Sequence, residues 1–337
     1  MTRPAVRDMR SRFVLGLIVC CTLLALGCKS GNTAPKASDD APFMGKVTTQ
    51  PPTISPADQP PPPDKVDGFD GMRAYDQVLK QVSFGPRPAG SPALAKLQDY
   101  LQSELKSYSC AIDTDSFSAD TPAGRLAMKN IVAKIPGTSQ GIILLGTHYD
   151  TKRLDNFVGA DDAGSSTAVM LEIARLLCPQ KEPQKYAVWI AFFDGEEAVN
   201  WEWKDPDNRY GSRQMAATMA NNGELKNIKV MLLADLVGNK DLILKREDFG
   251  NKAFTDLVWK TAQKLGYGTV FVDQHTEVSD DHLSFLDRGV PAVDIINLNT
   301  SASYWHTPQD TPDKLSPKSL AIVGHTLLET IKELQKK

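Results

Sequence analysis

Apolar and polar positions recur along this chain in two registers. A period near 3.6 residues over 71–84, 91–108, 164–178, 210–222, 251–266, 279–288 and 316–335 predicts amphipathic helices. Short apolar runs at 129–135, 141–147, 186–193, 228–235, 240–246, 269–272 and 291–297 predict strands. Three of these segments read GIILLGT, YAVWIAFF and IKVMLLAD and are almost continuously apolar. Strands read that way when helices cover both faces of their sheet, because neighbouring side chains point to opposite sides. Alternation of the two element types then predicts an α/β fold. The expected form is a single-domain α/β/α sandwich with a central, mostly parallel mixed sheet.

The first residues break this pattern. Arg3, Arg7, Arg10 and Arg12 precede the apolar run Phe13–Leu26, which ends at Gly27-Cys28. The run falls short of the roughly 20 residues a spanning helix needs, so 1–28 is expected as a signal peptide. Its ending, Leu24-Ala25-Leu26-Gly27-Cys28, resembles a bacterial lipoprotein processing site, with Ala25 where that pattern usually has Leu. An ordinary secretory signal with a chance cysteine is the alternative. Lipidation implies an exported domain tethered to a membrane surface through Cys28, on the extracytoplasmic side. Residues 29–66 are rich in Pro, Ser, Thr, Asp and Lys and end in PPTISPADQPPPPDK (51–65), so a disordered, extended linker is expected there. The folded domain then spans 67–337.

A formal charge of −3 with no Lys/Arg stripe gives no sign of a nucleic-acid partner. Cys110 and Cys178 are the two cysteines outside the leader. An exported chain can pair them, and buried free thiols fit the sequence equally well.

Candidate chemistry concentrates where strands end. His148 and Asp150 (HYD) follow the strand 141–147, and Asp162 lies in GADDAG just before the helix at 164. Glu196 and Glu197 (DGEEA) follow the strand 186–193. Asp235 ends the strand 228–235, and His306 (WHTPQD) lies in a loop after 291–297. In a parallel sheet the C-terminal strand ends share one edge, where α/β folds bind ligands, so these groups converge. Nitrogen and oxygen donors without a nearby thiolate suit a catalytic zinc that keeps a position open for substrate. A neighbouring carboxylate such as Glu196 is free to move protons. Asp150 is placed to orient the His148 imidazole. Each residue alone has a plainer role. Asp162 can cap a helix, Asp235 can cap a turn, and His306 can be an ordinary loop residue. The ordered set outweighs those.

The ordered motifs resemble the superfamily of zinc aminopeptidases and, within it, the animal-type glutaminyl cyclases, over most of residues 70–337. The resemblance implies zinc held by Asp162, Glu197 and His306, with Glu196 as general acid/base. In the aminopeptidases the positions of His148 and Asp235 hold a second zinc bridged by Asp162; the cyclases typically use one. Three features tilt the choice towards a cyclase. The insertion AVNWEWKDPDNRY before Gly211-Ser212 resembles a cyclase loop, with Trp203 as the substrate-contacting match and Trp201 competing for that position. SDDHLSF (279–285) resembles the cyclase DDH motif, whose first Asp, here Asp280, contacts substrate. Trp305, directly before His306, stands where cyclases place an aromatic lid. The implied activity is cyclisation of N-terminal glutamine to pyroglutamate with ammonia release, on peptide or protein N-termini. The alternative is a di-zinc aminopeptidase. Oligomeric state is not legible in the sequence.

Overall fold

The computed structural model describes residues 53–182 and 184–336. The signal peptide and lipidated cysteine expected in 1–28, and the linker as far as residue 52, lie outside the described residues. Helices α1 (Gly71–Val82), α2 (Pro92–Ser107), α3 (Gly164–Leu177), α4 (Tyr210–Asn221), α5 (Lys252–Lys264), α6 (Leu283–Leu286) and α7 (Pro317–Gln335) alternate with eight strands. These are β1 (Ala111–Thr121), β2 (Gly124–Ile135), β3 (Ile142–His148), β4 (Ala187–Phe193), β5 (Ile228–Asp235), β6 (Leu244–Glu247), β7 (Phe271–Thr276) and β8 (Ala292–Ile296). Helix starts follow local chemistry. The Asp70 side chain accepts from the Arg73 N–H to open α1, and Ser91 accepts from the Leu94 N–H with Pro92 just inside α2.

Six strands form one sheet in the order β1-β2-β4-β3-β5-β8. β4, β3, β5 and β8 run parallel, and β2 and β1 join antiparallel at one side. Alternation along β3 divides the core. Ile143 and Leu145 pack with residues of α1, α2, α3, α5 and α7, whereas Ile142 and Leu144 pack with residues of α4 and α6. Each fully buried leucine contributes about 1.5–3 kcal/mol, so both helical layers are held by the same strands. The expected α/β/α sandwich is the observed fold. Because the four central strands are parallel, the loops after β3, β4, β5 and β8 meet at one edge.

Four features differ from the pattern's expectation. β1 carries no predicted strand, and β2 begins at Gly124 rather than 129. The two form a hairpin paired from Ala111↔Lys134 to Thr121↔Gly124, and β1 has no fully buried residue, so it lacks the apolar alternation that marks a strand. β6 and β7 pair with each other in a separate two-stranded parallel sheet rather than extending the central one. α6 is a single turn, not a helix over 279–288, because the segment before it serves as a cavity wall. Finally, residues 53–66, expected within the extended linker, lie against the domain. They form 3-10 turns at Pro56–Asp58 and Pro63–Lys65, Ile54 packs on the core, and Val66 is buried. Prolines here stiffen a packed strap, and its apolar anchors are too widely spaced to show as a periodic run. Cys110 and Cys178, left open by the sequence, form a disulfide that ties the start of β1 to the end of α3.

Candidate metal centre and active site

The loops at the sheet edge are fastened to one another before any ligand is considered. Asp310 accepts from the backbone N–H groups of Asp161 (2.8 Å) and Asp162 (3.1 Å). Asp161 in turn accepts from the Gly238 N–H (2.8 Å), the Ser301 hydroxyl (2.9 Å) and the Tyr304 hydroxyl (2.7 Å). Two buried carboxylates thus staple the loops after β3, β5 and β8. Asp162 is not a helix cap: Ala163 holds the N-cap position of α3, without a side-chain cap bond. The loop after β4 is held by Asp150, which accepts from the N–H groups of Glu196 (3.0 Å) and Glu197 (3.4 Å). Gly211 at the start of α4 lets this loop close, since a Cβ there would lie 2.5 Å from both Asn130 Oδ1 and Asp194 O.

On this frame the ligand-type side chains converge. His306 Nε2 lies 3.0 Å from Glu197 Oε1 and 3.3 Å from Asp162 Oδ2. His148 Nε2 lies 3.2 Å from both Asp162 Oδ1 and Asp235 Oδ1. The donor atoms of Asp162, Glu197 and His306 fall within 4.8 Å of one another, as do those of His148, Asp162 and Asp235. Asp162 belongs to both groups, one oxygen facing each imidazole. His306 sits at φ 52°, a left-handed conformation that a non-glycine residue holds only where its surroundings enforce it. Trp305 stacks on its ring at 4.0 Å, and Phe157 meets it edge-on at 5.8 Å.

The electrostatics favour a cation. Asp150, Asp162, Glu196, Glu197, Asp235, Asp280 and Asp281 are all buried, while the buried cationic or imidazole groups acting on them are His148, Lys152, Arg87, His282 and, partly exposed, His306. Burial pushes the Glu196 carboxyl well above its ordinary range, only partly opposed by His148. Burial likewise lifts Asp235 to about 7 against the pull of His148, and Asp281 to about 8, with Asp280 adding to the rise. Asp162 goes the other way. Burial raises it, but hydrogen bonds and charge from His148 and His306 outweigh that and hold it far below the usual carboxylate range. Burial lowers the His306 imidazole, yet Glu197 and Asp162 push it up to about 10. Glu197 Oε2 and His148 Nδ1 have no hydrogen-bond partner. Stacked like charges, orphaned donor atoms and an N/O donor set are what a divalent cation resolves. The residues fit zinc.

Asp162, Glu196, Glu197 and His306 open onto a cavity of about 220 Å³. Asp235, Asp280, Trp203 and Trp305 also line it. Every sequence-predicted site residue is therefore gathered here, except that His148 sits just behind the lining. Of the two competing tryptophans, Trp203 faces this cavity and donates from Nε1 to the Ser279 hydroxyl (3.3 Å), whereas Trp201 stands 71% exposed beside it. Asp150 stays in ion-pair range of His148, as expected, and has a further role. Its carboxylate stands 3.6 Å from His148 Nδ1, longer than a hydrogen bond, and also anchors the Glu196-Glu197 backbone.

Comparison with known proteins fixes the ancestry of this arrangement. The sequence pattern of peptidase family M28 matches residues 130–331. The chain belongs to peptidase family M28. Within this family it is 30% identical over 282 residues to the glutaminyl-peptide cyclotransferase-like protein of Mus musculus, covering 75% of this chain and 73% of that one. Its fold superposes on the crystal structure of an Acidobacteriales bacterium glutaminyl cyclase with a TM-score of 0.75 and 36% identity, covering 85% of this chain and 99% of the other. A Zn-dependent exopeptidase from Parabacteroides distasonis superposes with a TM-score of 0.71 at 28% identity, covering 78% and 98%. The resemblance drawn from HYD, GADDAG, DGEEA and WHTPQD holds, and the M28 fold is the sandwich described above.

Sequence reasoning passed over three residues of this M28 site. Lys152, buried, places its Nζ 3.7 Å from Glu197 Oε2, two residues after Asp150. Asp310 was inside the quoted WHTPQD and Asp161 inside GADDAG, yet neither had a role. A buried pair across 149 residues has no local signal; the acidic residue in a motif otherwise read for ligands was the available hint.

Proposed function

We propose that this chain cyclises the N-terminal glutamine of peptides to pyroglutamate and releases ammonia. The observation that carries the proposal is the meeting of Asp162, Glu197 and His306 beside the acidic cavity with Glu196, in a chain whose M28 relatives include proteins named as glutaminyl cyclases. In the reaction the α-nitrogen forms a bond to the side-chain amide carbon, the carbon–nitrogen bond of that amide breaks, and nitrogen leaves as ammonia. Asp162, Glu197 and His306 would hold one zinc, which supplies a Lewis acid for the amide oxygen. Glu196, buried beside Glu197, takes a proton from the attacking amine and returns it to the leaving nitrogen, a shuttle that contributes about 10²–10⁴-fold. Asp280 accepts from the amide NH₂ and fixes which face of the carbon meets the amine. Trp203 and Trp305 wall the cavity and keep water from competing, since hydrolysis would give glutamate.

A second assignment rests on one specific feature, the group His148, Asp162 and Asp235, which shares Asp162 with the first. Two zinc ions there would suit an aminopeptidase, with Glu196 deprotonating water. Purified protein assayed for ammonia release from a Gln-initiated peptide and amine release from a leucine anilide, alongside zinc quantification, separates them. Cyclase activity gives ammonia with one zinc per chain. Anilide hydrolysis with two zinc ions and no ammonia would overturn the proposal.

We also place the domain outside the cytoplasm, tethered through a lipidated Cys28. The Cys110–Cys178 disulfide supports an oxidising compartment. Mass spectrometry of the mature N-terminus should find a diacylated or triacylated Cys28; an unprocessed Met1 would refute this.

A further inference from the structure

Beside the catalytic cavity lies a second, open groove of about 680 Å³, walled by the β1–β2 turn at Asp120–Pro122 and the loop carrying Trp201, Glu202 and Asp205. The two spaces share that loop as a partition. Trp203 faces the first, Trp201 the second, and the Trp201 ring stands 6.4 Å from the His306 ring, edge-on. The loop is rigidly braced from below. Buried Asp207 accepts from the N–H groups of Val199 (3.0 Å) and Asn200 (2.9 Å) and from the Tyr210 hydroxyl (2.8 Å). Asp205 is held by Arg209 and Arg213. An indole kept 71% exposed on a fixed support, with the His306 ring against it edge-on, still offers a large apolar face to a ligand.

Glu202 and Lys204 are the two exposed charges of the lining without an ion-pair partner among the described residues. Asp205 is neutralised by its two arginines. Glu202, exposed beside the indole, makes no ion pair among the described residues. Asp120 opposite pairs only with Arg125 at 3.4 Å, both side chains being 83% and 68% exposed, a contact of small energetic weight. Lys204 is the single lysine in the lining and has no carboxylate partner among the described residues. The exposed indole and the unpaired Glu202 suit a cationic side chain with an apolar stem, a preference that Lys204 in the same lining opposes.

We propose that this groove receives the residues immediately after the N-terminal glutamine of a peptide substrate and favours Lys or Arg there. The inference rests on the cyclase assignment, because only a peptide whose first residue occupies the catalytic cavity must send its next residues past His306. An exposed cation–π contact and an exposed ion pair together correspond to a preference of about three- to thirty-fold.

The test uses the peptides Gln-Lys-Ala-Tyr, Gln-Gly-Ala-Tyr and Gln-Glu-Ala-Tyr in two arms. Steady-state cyclisation should give a KM for the Lys peptide about three- to thirty-fold below that of the Glu peptide, with similar kcat. The turnover-deficient variant Glu196→Gln should show the same ratio in dissociation constants by calorimetry. In Glu202→Gln/Asp120→Asn the ratio should fall to the share of the Trp201 cation–π contact alone, about two- to five-fold, while kcat on Gln-Gly-Ala-Tyr stays unchanged. Equal affinity for the Lys and Glu peptides in the parent protein, or a ratio in the double variant as large as the parent's, overturns the proposal. Absence of cyclisation of all three peptides overturns the cyclase assignment instead, and the calorimetric ratio still decides the groove.

Discussion

Replacing Asp150 by Asn perturbs the site without touching a ligand. Its carboxylate is fully buried and accepts from the backbone N–H groups of two consecutive residues, Glu196 and Glu197. An asparagine side chain keeps one acceptor oxygen and turns the other position into a donor facing an N–H. One hydrogen bond to a charged acceptor, worth about 1.5–3 kcal/mol, is lost, and a buried N–H is left unpaired at about 1–3 kcal/mol. The backbone that carries both the proposed proton shuttle, Glu196, and the proposed zinc ligand, Glu197, is thereby loosened. Removal of a group that orients metal ligands typically costs 10–100-fold in metal affinity or activity, and that is the expected loss for Asp150→Asn. Chelator competition reads the zinc affinity, ammonia release reads turnover, and calorimetry reads stability. Zinc affinity within twofold of the parent, with unchanged melting temperature and rate, would refute the claim that Asp150 positions this loop.

Other outcomes follow from the same geometry. Glu196→Gln should lower turnover by at least about 10²-fold while zinc content after dialysis stays at the parent level; retained turnover removes Glu196 as proton carrier. His306→Ala should lose zinc on dialysis, whereas His148→Ala should keep one ion per chain; loss of the ion in both variants would favour a coupled two-metal site. Zinc removal should destabilise the fold, because a ligand present at 100 times its dissociation constant stabilises by about 2.7 kcal/mol; identical melting of metal-free and loaded protein would contradict a site shared by separate loops. Cys110→Ala/Cys178→Ala removes a crosslink spanning 68 residues in sequence and should cost about 2–5 kcal/mol of stability, read by denaturant unfolding, with kcat intact at low temperature.

The interior of this fold was plain in the sequence because it is governed by apolar periodicity. Strands β3, β4 and β5 are buried on both faces, and their runs match the predicted strands to within a residue or two. The convergence of the candidate ligands was equally plain, since parallel strand ends must share an edge. What escaped was held by polar or long-range contacts. β1 is a mostly polar strand on the outside of the sheet, with Asp, Ser and Thr at most of its positions. The strap at 53–66 has the composition of a linker, and packing through Ile54 and Val66 does not change that composition. Asp150 sits beside His148 in sequence, which suggested a bond between them, and the tertiary fold also gives it two backbone donors from a loop 46 residues away. The open choice between Trp201 and Trp203 is a matter of which way each indole points from one loop, and local sequence carries no information about that.

Anomalous diffraction at the zinc edge, on crystals of the purified protein, tests the central claim most directly. The account predicts a peak bonded to an oxygen of Asp162, an oxygen of Glu197 and a ring nitrogen of His306 at about 2.0–2.2 Å. A zinc peak elsewhere, or a zinc-loaded active protein with no peak among those three side chains, would contradict it.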